Sequence, residues 1–272
     1  MAMGPPGAAI GDARSLDARP RAWGRSTLGV ASVLAGLLLW EIAGALGWVN
    51  RIILSPPHAV ALAGVELARS GELTRHLGIS LRELGVGLVL AVSAGVPIGV
   101  LAGWSRRLSW ILRPLIAVFY ATPVIVFAPL IVAWLGIGFW DKVLLVFISG
   151  FLQIFIATSA GIRATERKWV RLARSFRASQ RKVFWSIVLP SALPYILLGL
   201  RLAVGRCVVN VVVAEMLAAE AGVGYMIAYF GNTFRVAEVF VALVSVVVTG
   251  VILNQLLLMV EERVGRWRQI VR

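Results

Sequence analysis

The chain has 272 residues, of which 59% are hydrophobic and only 15% charged, and its mean hydropathy is +0.87. A soluble domain carries about 25% charged residues, so a water-soluble globule is excluded, as are disorder, collagen and a disulfide scaffold. A single cysteine, Cys207, and two histidines, His58 and His76, leave no paired-cysteine metal site and no histidine cluster. The net charge of +14 would suggest nucleic acid in a soluble protein; in a membrane protein the placement of the charges has to be tested first.

In chain order, residues 1–25 are rich in Gly, Pro, Ala and Arg without periodicity and read as a disordered tail. Ser26–Gly47 is the first apolar span, carrying only Glu41. Its Ala43-Gly44-Ala45 resembles a signal cleavage site, but the apolar stretch is long for a signal, and a retained helix is expected. In the following loop, Pro56-Pro57 predicts a stiff extended segment, and Val60 to Arg69 has the spacing of an interfacial helix. The next spans are Leu84–Gly103, Pro114–Phe139 and Val143–Ile162, all free of charge.

The loop from Thr165 to Pro190 places Trp169, Val170, Leu172, Ala173 and Phe176 at helical spacing, then the polar Ser179-Gln180-Arg181-Lys182, then Val183, Phe184, Ile187 and Val188. This is a helix, a break and a second helix ended by Leu189-Pro190. It fits either an amphipathic loop on lipid headgroups or a docking knob for a cytoplasmic partner. The fifth span, Pro194–Ala219, is the outlier with Arg201, Arg206 and Glu215. Ala221 to Arg235 is too short to cross and too apolar for a free loop, and reads as a short interfacial or re-entrant helix. Val239–Val260 is the sixth span, and residues 261–272 form a basic tail.

Each span has roughly the 20 apolar residues that a bilayer core requires, and none alternates as barrel strands do. The expected fold is therefore an all-α membrane protein with six transmembrane helices. With both termini inside, 19 of the 27 Lys and Arg fall in the tails and cytoplasmic loops, eight of them between Arg163 and Lys182. The positive-inside rule thus predicts cytoplasmic termini and removes the need for a nucleic-acid partner. Trp23, Trp48, Trp104, Trp110 and Trp140 sit near span ends, where headgroup-level anchors belong.

Within the fifth span, Arg201 lies about 10 Å from Pro194 along the helix and Arg206 about 18 Å. Arg201 can snorkel to the interface. Arg206 is deeper, with Asn210 one turn on and on the same face. These residues, with Glu215 nearer the outer end, read either as an anion-attracting stripe along a pathway or as a structural charge set, for example Arg206 with Glu41 or Glu215.

The loop and its surroundings resemble the permease subunit of binding-protein-dependent ABC importers, most nearly the nitrate/sulfonate/taurine branch. The family's cytoplasmic loop has the form E-A-A-x3-G-x9-I-x-L-P. Aligned on Ile187-Val188-Leu189-Pro190, its E-A-A falls on Arg171-Leu172-Ala173 and its glycine on Arg177. Further likeness lies in Ser175, Phe176, Ala178 and Ser179, in Leu189-Pro190-Ser191-Ala192-Leu193-Pro194, in Val213-Ala214-Glu215-Met216 and in Gly222-Val223-Gly224-Tyr225. The resemblance covers about Leu34 to Arg268. Two positions depart from it: the acidic residue is Arg171 and the turn glycine is Arg177, where arginine at positive φ would cost on the order of 1 kcal/mol.

The resemblance implies the type I importer permease fold, with a coupling loop over residues 163–193 inside a permease domain over residues 26–260. It implies a second copy of the chain, two cytoplasmic ABC ATPases and a periplasmic or lipid-anchored substrate-binding protein as partners, in the inner (plasma) membrane of a prokaryote. The cargo it implies is a small anion such as a sulfonate, taurine or nitrate, although related members handle uncharged organics such as pyrimidine precursors. No P-loop is present, so ATP is expected on a separate subunit and the chain itself is expected to need no cofactor. An ion-coupled secondary transporter is the alternative, but paired helix breaks and intramembrane carboxylates, its usual signs, are not evident. An isologous homodimer would bring two fifth spans together, with Cys207, beside Arg206, as a crosslinking probe.

Overall fold

The computed structural model describes residues 22–46 and 54–265. The tails at 1–21 and 266–272, and the junction 47–53 with Gly47 and Trp48, lie outside the described residues. Every regular element among the described residues is helical. In chain order they are α1 (Ala22–Ala45), α2 (Pro57–Arg69), α3 (Glu72–Trp104), α4 (Arg106–Ala121), α5 (Ala128–Leu135), α6 (Phe139–Arg163), α7 (Arg167–Ser175), α8 (Gln180–Val183), α9 (Leu189–Leu217), α10 (Val223–Asn232) and α11 (Val236–Gly265).

Three expectations need correction. The second span does not begin at Leu84: α3 starts at Glu72, so His76, Ser80 and Glu83 are helical and buried within the bundle. The third span is not one helix. It breaks at Thr122-Pro123, and α4 and the short helical stretch from Val124 through α5 are bent by 87° from each other. Pro123 has no N–H to give and pushes Thr122 out of the helical region, to φ −93° and ψ 127°. Pro190 and Pro194 do not stop a helix. A π-helical turn over Phe184–Val188 widens the backbone, Leu189 N–H reaches Phe184 O, and Gln180–Leu217 continues as one rod of 38 residues. Among the described residues there are thus four unbroken helices long and apolar enough to cross a membrane and one broken pair, with α1 carrying a shorter apolar stretch, Gly29–Ala45.

Pro56 is extended, at φ −66° and ψ 151°, whereas Pro57 opens α2 in its first turn, where a missing N–H costs nothing. Trp104, Trp110 and Trp140 are exposed near helix ends, as interface anchors should be.

Small residues set the core. An added Cβ at Gly87 would come within 2.5 Å of Val146 Cγ1, at Gly95 3.0 Å from Ile154 Cγ2, at Gly99 2.8 Å from Thr158 Cβ and at Gly103 2.6 Å from Ile162 Cβ. Each partner lies 59 positions further along the chain, so α3 and α6 run parallel in fixed register. The α6–α9 contact is antiparallel: a Cβ at Gly161 would meet Tyr195 Cβ and one at Gly199 would meet Ala157 Cβ, both at 2.5 Å. Between apolar helices in lipid, such close approach supplies the packing that water would otherwise drive.

Candidate functional site: a polar cavity at the helix break

The break between α4 and α5 opens a cavity of about 530 Å³ against α6 and α9. The broken segment contributes Tyr120 and Thr122, α6 contributes Ser149 and Gln153, and α9 contributes Arg206 and Asn210. No Asp or Glu lines it. The Arg206 guanidinium stands 5.7 Å from the centre of the Tyr120 ring and forms no ion pair among the described residues. A cation on an aromatic face keeps its N–H donors for another ligand. Asn210 Nδ2 donates to Arg206 O at 3.0 Å, which leaves its side-chain carbonyl facing elsewhere. Arg201 instead donates from Nε to Asn254 Oδ1 on α11 at 3.0 Å, so it is tied within the bundle.

Glu215 stands apart from Arg206 and Asn210. It is 1% exposed, outside that cavity, and pins the start of α10. Three successive amides there meet three side chains: Gly222 N–H donates to His76 Nδ1 at 2.9 Å, Val223 N–H to Ser80 Oγ at 2.8 Å, and Gly224 N–H to Glu215 Oε2 at 2.7 Å. These are the orphan donors of a helix N-terminus. The Gly-x-Gly spacing follows from this fit, because a Cβ at Gly224 would lie 2.1 Å from Val212 O and one at Gly222 2.4 Å from Glu215 Cδ. Glu83 packs beside Glu215, with Asp141 and Lys142 completing the group. Lys142, 2% exposed, donates from Nζ to Gly138 O at 2.7 Å and lies 3.2 Å from Asp141 Oδ2.

At the opposite end of α6, α7 and α8 form a hairpin. Ala173 and Ala178 turn inward and, with Val170 and Phe184, pack against Ile162, Val183, Val188 and Ala192. Leu172 and Phe176 point outward, Phe176 at 80% exposed, with Arg171 and Ser175 also on the surface. Arg177 holds the turn at φ +56°. Its N–H bonds Arg174 O at 2.9 Å and Ala178 N–H bonds Ala173 O at 3.1 Å, the Schellman pattern with arginine where glycine is usual. Ser179 caps α8 by accepting from Lys182 N–H at 3.3 Å. Leu189 and Pro190, both half-buried, join hairpin to rod.

Cys207 does not stand on the Arg206 face. It is fully buried, its thiol directed at Val146 O on α6, 3.4 Å away. Sequence reading also missed Tyr120, Ser149 and Gln153 in the cavity, and His76, Ser80, Glu83, Asp141 and Lys142 in the polar group. One signal was available for the latter: His76, Ser80, Glu83 and Gly87 recur at three- and four-residue steps, continuing the α3 packing face into the presumed loop. The Thr122-Pro123 step likewise marks the break.

Residues 95–266 match the family described as the inner membrane component of binding-protein-dependent transport systems. A Bacillus subtilis protein named for aliphatic sulfonates transport, SsuC, is 32% identical over 246 residues, covering 90% of this chain and 88% of its own. The taurine transport system permease protein TauC of Escherichia coli is 30% identical over 246 residues, covering 89% and 90%. Among solved structures, the inward-facing MetNI methionine ABC transporter superposes with a TM-score of 0.60 at 18% identity, over 73% of this chain and 97% of that one. That likeness is in fold, the type I ABC importer permease architecture. On the extent of the family match and the identity to these relatives, the chain belongs to the binding-protein-dependent transport system inner membrane components.

Proposed function

We propose that the chain is the membrane-spanning subunit of an ATP-driven importer and that the cavity at the α4–α5 break is a way-station for a small oxyanion of the sulfonate, taurine or nitrate kind. The observation that carries this reading is Arg206, a cation set over Tyr120 in a polar cavity whose lining offers no carboxylate. Planar guanidinium donors suit sulfonate and nitrate oxygens. Gln153 and Asn210 add amide groups that discriminate by hydrogen bonding, and the names of the sulfonate and taurine relatives favour the same chemistry.

In this reading both termini are cytoplasmic, and a separate ATPase docks on the outward Leu172 and Phe176 of the α7–α8 hairpin. Its motion passes through Leu189-Pro190 into α9, and so to Arg206. A binding protein delivers cargo from the other side of a prokaryotic inner membrane. Glu215 acts by positioning α10 rather than by meeting cargo. The test is uptake by cells or vesicles that hold the complete transporter. Arg206→Ala should lose most uptake of an anionic substrate with the ATPase still bound, and Arg206→Lys should retain part of it. Normal uptake by the alanine variant would remove Arg206 from the pathway.

A further inference from the structure

A second, smaller cavity of about 200 Å³ lies between α4 and the last turns of α6, and Arg113 and Arg163 both face it. Arg163 is within electrostatic reach of Arg113, and neither forms an ion pair among the described residues. The cavity's remaining polar groups are the hydroxyls of Ser109, Ser159 and Tyr120, with no Asp or Glu among its lining residues. Arg163 Nη2 donates to Ser159 Oγ at 3.3 Å, which steadies the guanidinium without neutralising it. Both arginines are exposed, so water screens them in part; two like charges opening onto one space still repel each other, and an anion between them would relieve that repulsion.

We infer that Arg113 and Arg163 form a second oxyanion site, at the end of the bundle that carries the coupling hairpin. An oxyanion placed between the two guanidinium groups would accept from both, and Ser109 and Tyr120 could donate to its remaining oxygens. Tyr120 is the shared wall: it lines both cavities, and Arg206 stands on its ring. The site extends the Arg206 reading and rests on it for its place along a path; its chemistry rests on the two arginines alone. The occupant is a sulfonate- or phosphate-like group, supplied either by a solute or by the headgroup of an anionic lipid at the interface.

The experiment is arginine modification by phenylglyoxal, read peptide by peptide by mass spectrometry on the purified full chain. In neutral detergent, methanesulfonate replacing chloride at constant ionic strength should slow modification of Arg113 and Arg163 together, several-fold. Arg106 and Arg107, exposed on the same helix and outside the cavity, should be unaffected. Arg113→Gln should abolish the protection of Arg163, because one anion bridges both. In a second arm, phosphatidylcholine nanodiscs are compared with and without phosphatidylglycerol. Protection by phosphatidylglycerol alone keeps the site and assigns it to a headgroup, whereas protection by methanesulfonate in both lipids assigns it to a solute. If Arg113 and Arg163 react in every condition as Arg106 and Arg107 do, the site is overturned. Arg206 is read in the same spectra, so its protection without that of Arg113 and Arg163 would sink the second site and leave the first standing.

Discussion

Arg177 shows that an arginine can hold a helix-ending turn where glycine is the usual residue. The α7 C-terminus needs a residue at positive φ to close its two Schellman hydrogen bonds, and arginine adopts φ +56° to do so. Phe234 does the same at the end of α10, at φ +58°, with Arg235 N–H on Phe230 O at 2.9 Å. A non-glycine residue there carries about 1–2 kcal/mol of strain, against about 0.5–1 kcal/mol of extra chain entropy that a glycine must lose. The first figure is the larger, so Arg177→Gly should stabilise the hairpin by about 0.5–1 kcal/mol. Amide hydrogen exchange at Ala178 should slow by about two- to fivefold if the hairpin opens locally. Unchanged or faster exchange would mean that the arginine side chain offsets the strain through contacts of its own.

At the scale of elements, the short helix α10 depends on side chains borrowed from its neighbours. The amides of its cap residue Gly222 and of its first two residues, Val223 and Gly224, are satisfied by His76 and Ser80 of α3 and Glu215 of α9, which ties three elements at one point. A buried donor left without a partner costs about 1–3 kcal/mol. Glu215→Ala should therefore destabilise the purified chain by about that amount in a thermal or denaturant titration, with faster proteolysis between Ala218 and Arg235. Glu215→Gln keeps an acceptor oxygen for Gly224 N–H and should lose much less. Equal losses would show that the charge beside Glu83 and Lys142, not the cap, is what matters. Much of this scale was legible in the sequence: the apolar spans in α3, α6, α9 and α11, the α2 helix, the α7–α8 hairpin and the short α10 follow from apolar length and 3.6-residue spacing, whereas the first span is a shorter apolar helix, Gly29–Ala45, and the third a bent pair. What escaped has physical reasons. Hydropathy cannot see a helix continue through charged residues that the fold buries, as it buries Glu83 within α3 and Asp141-Lys142 in the first turn of α6. Apolar length alone also cannot see that Pro123 splits a span or that a π-turn lets α9 run through Pro190. The cavity was half legible for the same reason. Arg206 and Asn210 stood out as polar residues in an apolar run, whereas Tyr120, Ser149 and Gln153 became site residues only when the break in the third span brought them to α9.

For the whole molecule, the exposed faces of the helices divide into those that suit lipid and one that does not. Leu198, Leu202 and Val209 of α9 are exposed at 45%, 51% and 61%, and Arg206 lies among them on an open cavity wall. Facing that stripe to hydrocarbon would cost several kcal/mol for the charge alone, while the other side of α9, with Ala203, Val204, Cys207 and Val208, is already packed inside the bundle. A two-fold partner, the simplest being a second copy, would cover the open face and close the pathway around Arg206. Crosslinking separates the two sides of the helix. The native Cys207 is fully buried, with its thiol directed at Val146 O, so the wild-type chain should give no dimer with a short bismaleimide in native membranes. Val209→Cys, introduced with Cys207→Ser, should give one, at twice the 29.4 kDa of the chain. Dimers through Cys207 alone would mean that α9 turns its other face to the partner. A Val209→Cys adduct only to a different permease would replace the homodimer with a heterodimer and leave the cavity reading untouched.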